Sequence, residues 1–299
     1  MYDIIIVGAG PAGLTSGIYA RRSNKSVLIL EASTYGGQII NTLDIENYPA
    51  SEHISGFDFA TKLYNQTKNL GAIIKFEKVI DINDLGKEKE VITNKNSYKC
   101  KSIIIATGAE NRKLGLDKER ELIGKGVSYC ATCDGAFYKN KDVAVVGGGN
   151  TALEDALYLA DLASKVYLIH RRDEFRGEER LVDELKQHGN VEFILNATVE
   201  RINGEAKLES IDVKDNAGNI TNVAISGLFV AVGQAPKNEI FTNVAKLNEN
   251  GYIMAIDDVH TNVPGIYVAG DARVKTLRQL TTAVGDGANA ATTAIREMK

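Results

Sequence analysis

Tryptophan is absent from these 299 residues, and proline and cysteine are scarce, at 4 and 3 residues. Three cysteines are too few for the disulfide framework of a small secreted domain. Positive charge is not in excess either, since the formal net charge is −4, which excludes a general basic field for nucleic acid or an anionic membrane. The first apolar run, Ile4 to Val7, is far too short to span a bilayer. These absences predict a cytoplasmic protein without a nucleic-acid or membrane partner.

Glycine is plentiful by contrast, with 28 residues, and several follow short runs of β-branched residues. Two of these glycine clusters belong to an internal repeat. Asp3 and Gly8 recur 139 residues later as Asp142 and Gly147, and residues 2–31 match residues 141–170 without a gap. Each copy has the β-α-β pattern whose two strands run parallel.

The repeat extends beyond these copies, because each is followed by short strand-like pieces typical of a β-meander and then by one more buried strand ending in glycine. The predicted elements are strands at 4–7, 27–30, 143–146 and 166–169, helices at 11–22 and 150–162, meanders at 79–98 and 199–225, and closing strands at 103–108 and 228–233.

The fold class predicted by this organisation is α/β, with two Rossmann-like dinucleotide-binding domains, each built from a parallel sheet and a β-meander. The strand at 265–271 and the alanine-rich segment after it have no third repeat to join, so we assign them to the first domain. The second domain is then an insertion. We expect its bounds at 113–237, with the first domain formed by 1–112 and 238–299.

The first glycine cluster has the spacing G-x-G-x-x-G between a strand and a helix. Such a turn lets the backbone approach a pyrophosphate at the helix N-terminus. Glu31 lies 18 residues after the last glycine, where a carboxylate accepts from ribose hydroxyls. The residues predicted to bind the nucleotide here are Gly8, Gly10, Pro11, Ala12, Gly13 and Glu31.

The second cluster has the related spacing G-x-G-x-x-A, but His170 occupies the position of the acid and three arginines follow. Guanidinium groups bind a 2′-phosphate that a carboxylate would repel, so this pocket is predicted to take NADPH rather than NADH. A solvated basic turn is the alternative. The predicted nucleotide-binding residues are Gly147, Gly149, Asn150, Thr151, Ala152, His170, Arg171, Arg172 and Arg176.

Cys130 and Cys133 form a C-x-x-C, a spacing suited to redox exchange through a small disulfide loop. A structural zinc needs four ligands, and no histidine has ligand spacing, so we expect no metal. Asp134 is either a proton carrier for the dithiol or an ordinary turn residue before Gly135. Cys100 precedes a buried strand and is interpreted as a small buried hydrophobe.

Two dinucleotide pockets and a dithiol in one chain indicate a path for electrons from NADPH through a tightly held flavin to a disulfide. The sequence therefore predicts a disulfide reductase.

On these motifs the chain resembles the low-molecular-weight bacterial thioredoxin reductases over essentially its whole length. The resembling segments are Gly8–Gly13, Gly36–Gln38, Glu46–Pro49, Ala106–Gly108, Cys130–Gly135, Gly147–Ala152, His170–Arg176, Gly270–Asp271 and Arg278–Gln279.

The resemblance implies cofactors, partner and roles. FAD is expected in the first domain, with Cys133 as the thiol that reacts with it, Cys130 as the thiol that attacks the partner disulfide, and Asp134 as the acid/base. The expected partner is thioredoxin or a similar small dithiol protein, and the expected assembly is a homodimer. The further residues that the resemblance assigns to FAD are Gly37, Gln38, Asn47, Gly108, Gly270, Asp271, Arg278 and Gln279.

Two other functions are compatible with parts of this pattern. A ferredoxin:NADP reductase of the same architecture would lack the dithiol, so Cys130 and Cys133 argue against it. A nucleotide-sensing module without catalysis would need those cysteines to be structural, and bleaching of the flavin by NADPH would distinguish it.

Overall fold

The computed structural model describes residues 1–42 and 44–298. Its α-helices are α1 (Pro11–Arg22), α2 (Gly56–Asn69), α3 (Ala131–Asp134), α4 (Asn150–Ala160), α5 (Glu179–Gln187) and α6 (Leu280–Glu297). Short 3-10 helices cover Gly37–Asn41, Gly135–Tyr138, Glu239–Phe241 and Gly270–Ala272.

The strands are β1 (Tyr2–Val7), β2 (Val27–Glu31), β3 (Ile73–Phe76), β4 (Val79–Asp84), β5 (Lys89–Thr93), β6 (Ser97–Ile105), β7 (Glu110–Asn111), β8 (Val127–Ser128), β9 (Asp142–Val146), β10 (Lys165–His170), β11 (Val191–Leu195), β12 (Ala197–Asn203), β13 (Ser210–Asp215), β14 (Ile220–Ala224), β15 (Gly227–Val230), β16 (Gln234–Ala235) and β17 (Ile266–Val268).

The chain forms two compact units, one from Met1–Glu110 with Ala235–Lys299 and the other from Asn111–Gln234. The sequence places the corresponding boundaries at 112/113 and 237/238. The short strands at the two crossings, β7 and β16, pair with each other.

In the first unit, parallel strands follow the order β3-β2-β1-β6, and β17 pairs with the second half of β6. The first half of β6 pairs with β5, which pairs with β4, both antiparallel. The sequence predicted a meander ending at Tyr98 and a separate strand over 103–108. That prediction was wrong, because one strand runs through both and changes neighbours midway, ending before Gly108.

In the second unit, parallel strands follow the order β11-β10-β9-β15-β8, and the meander β12-β13-β14 is a separate antiparallel sheet. The repeated strands β1 and β9 therefore have equivalent positions, each between the second strand of its β-α-β unit and the closing strand. This arrangement confirms the predicted α/β class with Rossmann-like parallel sheets.

Both faces of the first parallel sheet are buried, which explains why its central strands are continuous apolar runs. Ile4 and Ile6 pack on one face with residues of α1 and α6, whereas Ile5 and Val7 pack on the other face. The second unit is likewise divided, with Val143 and Val145 facing α4 and with Ala144 and Val146 facing the meander. Within residues 1–42 and 44–298, no helix is both long and apolar enough to cross a membrane.

Helix α1 begins and ends where the sequence predicts. Pro11 occupies the first turn, where its missing N–H is not needed, and Arg21 and Arg22 lie in the last turn, where positive charge favours the helix dipole. Helix α4 begins at Asn150 as predicted but ends at Ala160, two residues earlier than expected.

Candidate active site

The first glycine turn joins β1 to α1. Gly8 has φ +108°, and a Cβ there would overlap the carbonyl oxygen of Ala106, which follows the adjoining strand β6, so only glycine fits. Glu31, at the end of β2, accepts from the N–H of Ala9 at 2.8 Å and of Ser33 at 3.0 Å. Through its hydrogen bond to Ala9, Glu31 holds the backbone of the turn in place between Gly8 and Gly10.

Residues far apart in the sequence meet around this turn. Gly37 approaches Gly10 so closely that a Cβ on Gly37 would lie 3.4 Å from the Cα of Gly10. Gly270 lies against Ala12, since a Cβ on Gly270 would come within 2.8 Å of the Cβ of Ala12. The predicted flavin residues from both segments of the first unit are therefore brought to one glycine turn.

A second pair of predicted flavin residues, Asn47 and Gln279, is joined by a hydrogen bond of 3.3 Å from Asn47 Nδ2 to Gln279 Oε1. Gln38 is exposed on the 3-10 helix Gly37–Asn41, and Gly108, with φ +67°, lies in open space. Within residues 1–42 and 44–298, no recorded contact fixes a role for Gln38 or Gly108.

Three buried side-chain polar atoms of the first unit have no hydrogen-bond partner among the described residues: Thr15 Oγ1 on α1, Asp271 Oδ1 and Arg278 Nε. The last two belong to residues predicted to bind the flavin. The Arg278 guanidinium lies over the Tyr252 ring at 4.2 Å. Buried polar atoms left unpaired are costly, so a polar ligand that pairs with them explains their presence. Together with the glycine turn, these atoms fit a flavin dinucleotide, whose ribityl and pyrophosphate groups supply such partners.

The second glycine turn joins β9 to α4. Gly149 is the N-cap of α4, and the backbone N–H of Arg176 donates to Gly148 O at 2.7 Å. Asn150 exchanges hydrogen bonds with Glu178, accepting from its N–H at 2.8 Å and donating to its Oε1 at 3.0 Å. The segment after β10 is thereby fastened to the turn, while Thr151 remains exposed.

His170 is buried beneath this turn. Its ring packs against Gly148, stacks on Phe175 with centroids 5.2 Å apart, and places Nε2 3.1 Å from Glu174 O. Burial lowers the pKa of His170, and Arg171 and two other arginines lower it further, so the ring is neutral near pH 7. The structure thus gives His170 a role in shaping the loop.

The three arginines at 171, 172 and 176 are exposed on the segment that His170 supports. They follow the end of β10, the strand equivalent to the one that ends in Glu31. Their guanidinium groups are available to an anion at the edge of the sheet.

Cys130 and Cys133 form a disulfide across α3, with Cα atoms 5.3 Å apart. Cys130 is the N-cap residue, and its carbonyl accepts from the N–H of Cys133 and of Asp134. Strand β8 ends two residues before Cys130 and runs parallel to β15 and β9. The disulfide and the second glycine turn therefore both follow carboxyl ends of strands in one parallel sheet, the edge at which such sheets bind ligands.

Asp134 is half-buried beside the disulfide, where it accepts a hydrogen bond of 2.6 Å from Ser128 Oγ. Ser128 Oγ also accepts from the N–H of Cys130 at 3.1 Å, so one hydroxyl joins the carboxyl to the dithiol. Burial raises the pKa of Asp134, and the Ser128 hydrogen bond opposes that rise. Burial and the nearby Asp134 also raise the pKa of Tyr138 to about 12.

Sequence reasoning missed a buried carboxylate next to this site. Glu119 accepts from the N–H of Leu114 at 2.9 Å and of Gly115 at 2.8 Å, and from Tyr129 Oη at 2.7 Å. It thus ties the loop before it to the residue that precedes Cys130. The surrounding D-K-E-R-E run resembles a solvated charged loop, so only the burial reveals this role.

We expect Glu119→Ala to lower the free energy of unfolding of the second unit by about 3 kcal/mol, because several buried donors lose their acceptor at once. Urea unfolding followed by circular dichroism measures it. The exposed Glu121→Ala is the matched control and should change stability by less than about 0.5 kcal/mol. Equal urea midpoints for the two variants would contradict the assignment.

Two further carboxylate sites were not predicted. Burial raises the pKa of Asp155 on α4 to about 7, the charge of Glu154 adds to the rise, and the backbone N–H of Ala131 opposes it. In the first unit, His53 Nδ1 lies 2.7 Å from Asp44 Oδ2 and 3.8 Å from Glu46 Oε1, a surface group that sequence spacing did not indicate.

A sequence profile of the pyridine nucleotide-disulphide oxidoreductases matches residues 2–287. The chain belongs to this family, and the Cys130–Cys133 disulfide is in keeping with it. Membership implies the use of a flavin and of NAD(P)H.

Within the family, the chain is similar to thioredoxin reductases. It is 44% identical to the thioredoxin reductase of Listeria monocytogenes over 292 residues, which cover 96% of this chain and 91% of that protein. It is 43% identical to the thioredoxin reductase of Bacillus subtilis over 294 residues, covering 97% and 93% of the two chains. The crystal structure of thioredoxin reductase from Streptococcus pyogenes, 42% identical, superposes with a TM-score of 0.94 over 99% of this chain and 97% of that one. The resemblance found in the sequence motifs is thereby confirmed.

Proposed function

We propose that this chain is an NADPH-dependent thioredoxin-disulfide reductase, with FAD in the first unit and NADPH in the second. The observation that carries the proposal is the disulfide of α3, which lies at the same sheet edge as the second glycine turn. The flavin, when bound, accepts a hydride from NADPH and delivers two electrons to that disulfide.

The first unit would hold FAD through residues that surround its glycine turn. The backbone of 8–13 would receive the pyrophosphate at the start of α1, where N–H groups are available. Asp271 and Arg278 would pair their buried polar atoms with the cofactor. Gly37 lies against the turn, and Asn47 is hydrogen-bonded to Gln279.

The second unit would hold NADPH in the equivalent way. The start of α4 receives the pyrophosphate, and the arginines at 171, 172 and 176 pair with the 2′-phosphate. The neutral His170 supports the loop that carries them.

The dithiol would then reduce the partner by thiol–disulfide exchange. The Cys130 thiolate attacks one sulfur of the thioredoxin disulfide, and the other thioredoxin sulfur leaves as a thiolate and takes up a proton. The Cys133 thiolate next attacks Cys130 Sγ, which releases the second thioredoxin thiol and restores the Cys130–Cys133 disulfide. Two electrons and two protons pass to the partner, and Asp134 would donate one of the protons.

The direct test is the oxidation of NADPH by the purified flavoprotein with thioredoxin as the disulfide substrate. Consumption of NADPH that requires thioredoxin supports the proposal. Bleaching of the flavin by NADPH without transfer to any protein disulfide would favour a nucleotide-sensing or ferredoxin-linked function.

We also propose a cytoplasmic homodimer with no nucleic-acid or membrane partner. The net charge of −4 supports the absence of a general basic surface, and the mass of the purified protein in solution tests the dimer.

We expect Asp134→Asn to slow turnover with thioredoxin by about tenfold to a hundredfold and to leave reduction of the flavin by NADPH intact, because only a proton donor is lost. Burial raises the pKa of Asp134, so the acid form persists to higher pH than in an exposed aspartate and is lost as pH rises through that pKa. Turnover of the parent protein with thioredoxin should therefore fall as the pH rises through the pKa of Asp134. Turnover of Asp134→Asn should not show that fall.

Ser128→Ala sharpens this test, because removing the hydrogen bond that favours the ionised form should move the fall in rate to higher pH. The exposed Asp117→Asn is the control and should keep the parent profile. If Asp134→Asn kept the pH dependence of the parent, Asp134 would be only a turn residue with no part in proton transfer.

A further inference from the structure

A cluster of four charged side chains lies beside the proposed flavin site, with Asp286 buried and Arg273, Lys275 and Asp271 partly exposed. Asp286 on α6 accepts from Arg273 Nε at 3.0 Å, from Arg273 Nη2 at 2.9 Å and from Lys275 Nζ at 2.9 Å. It also accepts from the backbone N–H of Gly270 at 3.1 Å, directly before Asp271. Lysine and aspartate are rarely buried unless they are paired, so this cluster is a built feature of the first unit.

Lys275 lies close to Asp271 but does not donate a hydrogen bond to it. Its side chain is only 6% exposed, and Nζ donates to Asp286 Oδ2 and, at 3.0 Å, to Thr282 Oγ1. The same Nζ lies 3.8 Å from Asp271 Oδ1, near enough for a strong charge interaction but beyond hydrogen-bond distance. That oxygen is the one that has no hydrogen-bond partner among the described residues.

We propose that Lys275, positioned by Asp286, keeps Asp271 ionised without occupying its acceptor oxygen, so that Asp271 Oδ1 is free to accept from a ribityl hydroxyl of the flavin. This inference rests on the proposed FAD site. Lys275 is a positioning residue, since it acts on the cofactor only through Asp271.

The electrostatics of the cluster support this role. Burial raises the pKa of Asp271, and among the neighbouring charges Lys275 lowers it most. Removing the ammonium would therefore leave Asp271 protonated up to higher pH, and a protonated carboxyl has lost part of its acceptor capacity.

The other charges around Asp271 are few. Arg278 and Arg273 also lower its pKa, Asp286 raises it, and Asp258 acts on Arg273. Helix α1, which packs on Gly270 through Ala12, has no acidic residue in its first turn and carries its arginines at the far end. Since Arg273 pairs with Asp286 on its own, that carboxylate keeps a cation when Lys275 is replaced.

The test is the dissociation constant of FAD from the full chain, measured by flavin fluorescence between about pH 6 and pH 9. We expect Lys275→Met to weaken FAD increasingly as the pH falls, by up to about tenfold for each unit by which the pKa of Asp271 rises in the variant. At the alkaline end, where Asp271 ionises without help, the loss should be within about threefold. Lys275→Arg should restore binding, and the exposed Lys246→Met should match the parent throughout.

A double variant separates this role from a merely structural one. If Lys275 acts through Asp271, Lys275→Met should add no pH-dependent loss in an Asp271→Asn background. A loss that is equal at every pH, or absent at every pH, overturns the inference.

The outcomes that would contradict the proposed FAD site differ from those that would contradict the role of Lys275. A parent chain that does not bind FAD overturns the FAD site and this inference with it, whereas an Asp271→Asn variant that binds FAD as tightly as the parent overturns the inference alone. A parent that binds FAD, a weakened Asp271→Asn and an unaffected Lys275→Met would overturn the inference alone.

Discussion

Cys133→Ser and Cys130→Ser should each lower the reduction of thioredoxin by about three orders of magnitude or more, because exchange with a protein disulfide needs both thiols. Both variants should still bind FAD, and NADPH should still bleach it, since hydride transfer to the flavin needs no thiol. Stopped-flow absorbance measures the flavin step, and NADPH oxidation with thioredoxin measures the complete reaction.

The matched control for these variants is Cys100→Ala, which removes the remaining thiol of the chain and should keep the parent rate. A serine variant that reduces thioredoxin at the parent rate would show that electrons leave the flavin by another path.

Replacing Arg171, Arg172 and Arg176 together by alanine should weaken NADPH strongly and leave NADH nearly unchanged. Hydrogen bonds to charged groups contribute about 1.5 to 3 kcal/mol each, so the summed loss for NADPH should exceed a hundredfold in KM or Kd. The measurement is the rate of flavin reduction against the concentration of each nucleotide.

The exposed Arg201→Ala removes one positive charge from a meander strand, β12, of the same unit and should affect both nucleotides little. Equal losses for NADPH and NADH in the triple variant would refute selection through the 2′-phosphate and leave these arginines as a solvated basic turn.

The parallel sheets and the glycine turns were predictable from the sequence because their requirements are local. A strand buried on both faces needs a continuous apolar run such as Ile4 to Val7, and the turn after it needs a residue without Cβ at Gly8. The repeat at an offset of 139 residues then indicated two such units from one pattern.

Strand β6 was mispredicted because its pattern changes halfway. Its first half alternates polar and apolar residues beside β5, whereas Ile103 to Ile105 form a continuous apolar run between β1 and β17. The sequence pattern therefore predicts two strands, although a single strand passes from a half-exposed environment into a fully buried one.

The buried charged side chains were not predictable from the sequence, for a different reason. Glu119 and Lys275 belong to residue types that are mostly exposed, and nothing in their neighbours along the chain marks them as buried. Their partners are assembled by the fold. Asp271, by contrast, lies in a motif that the resemblance singled out, and it comes three residues after β17, near the edge where α/β sheets bind ligands.

Cys100 gives the protein an internal reporter of its folded state. The side chain is 0% exposed, and burial raises the pKa of its thiol to about 12, so the thiolate is scarce and sheltered in the native chain. After reduction, a thiol reagent should count two cysteines in folded protein and three in unfolded protein. The rate at which the third label appears would therefore time the opening of the strand that carries Cys100, in the same sample whose dithiol is being titrated.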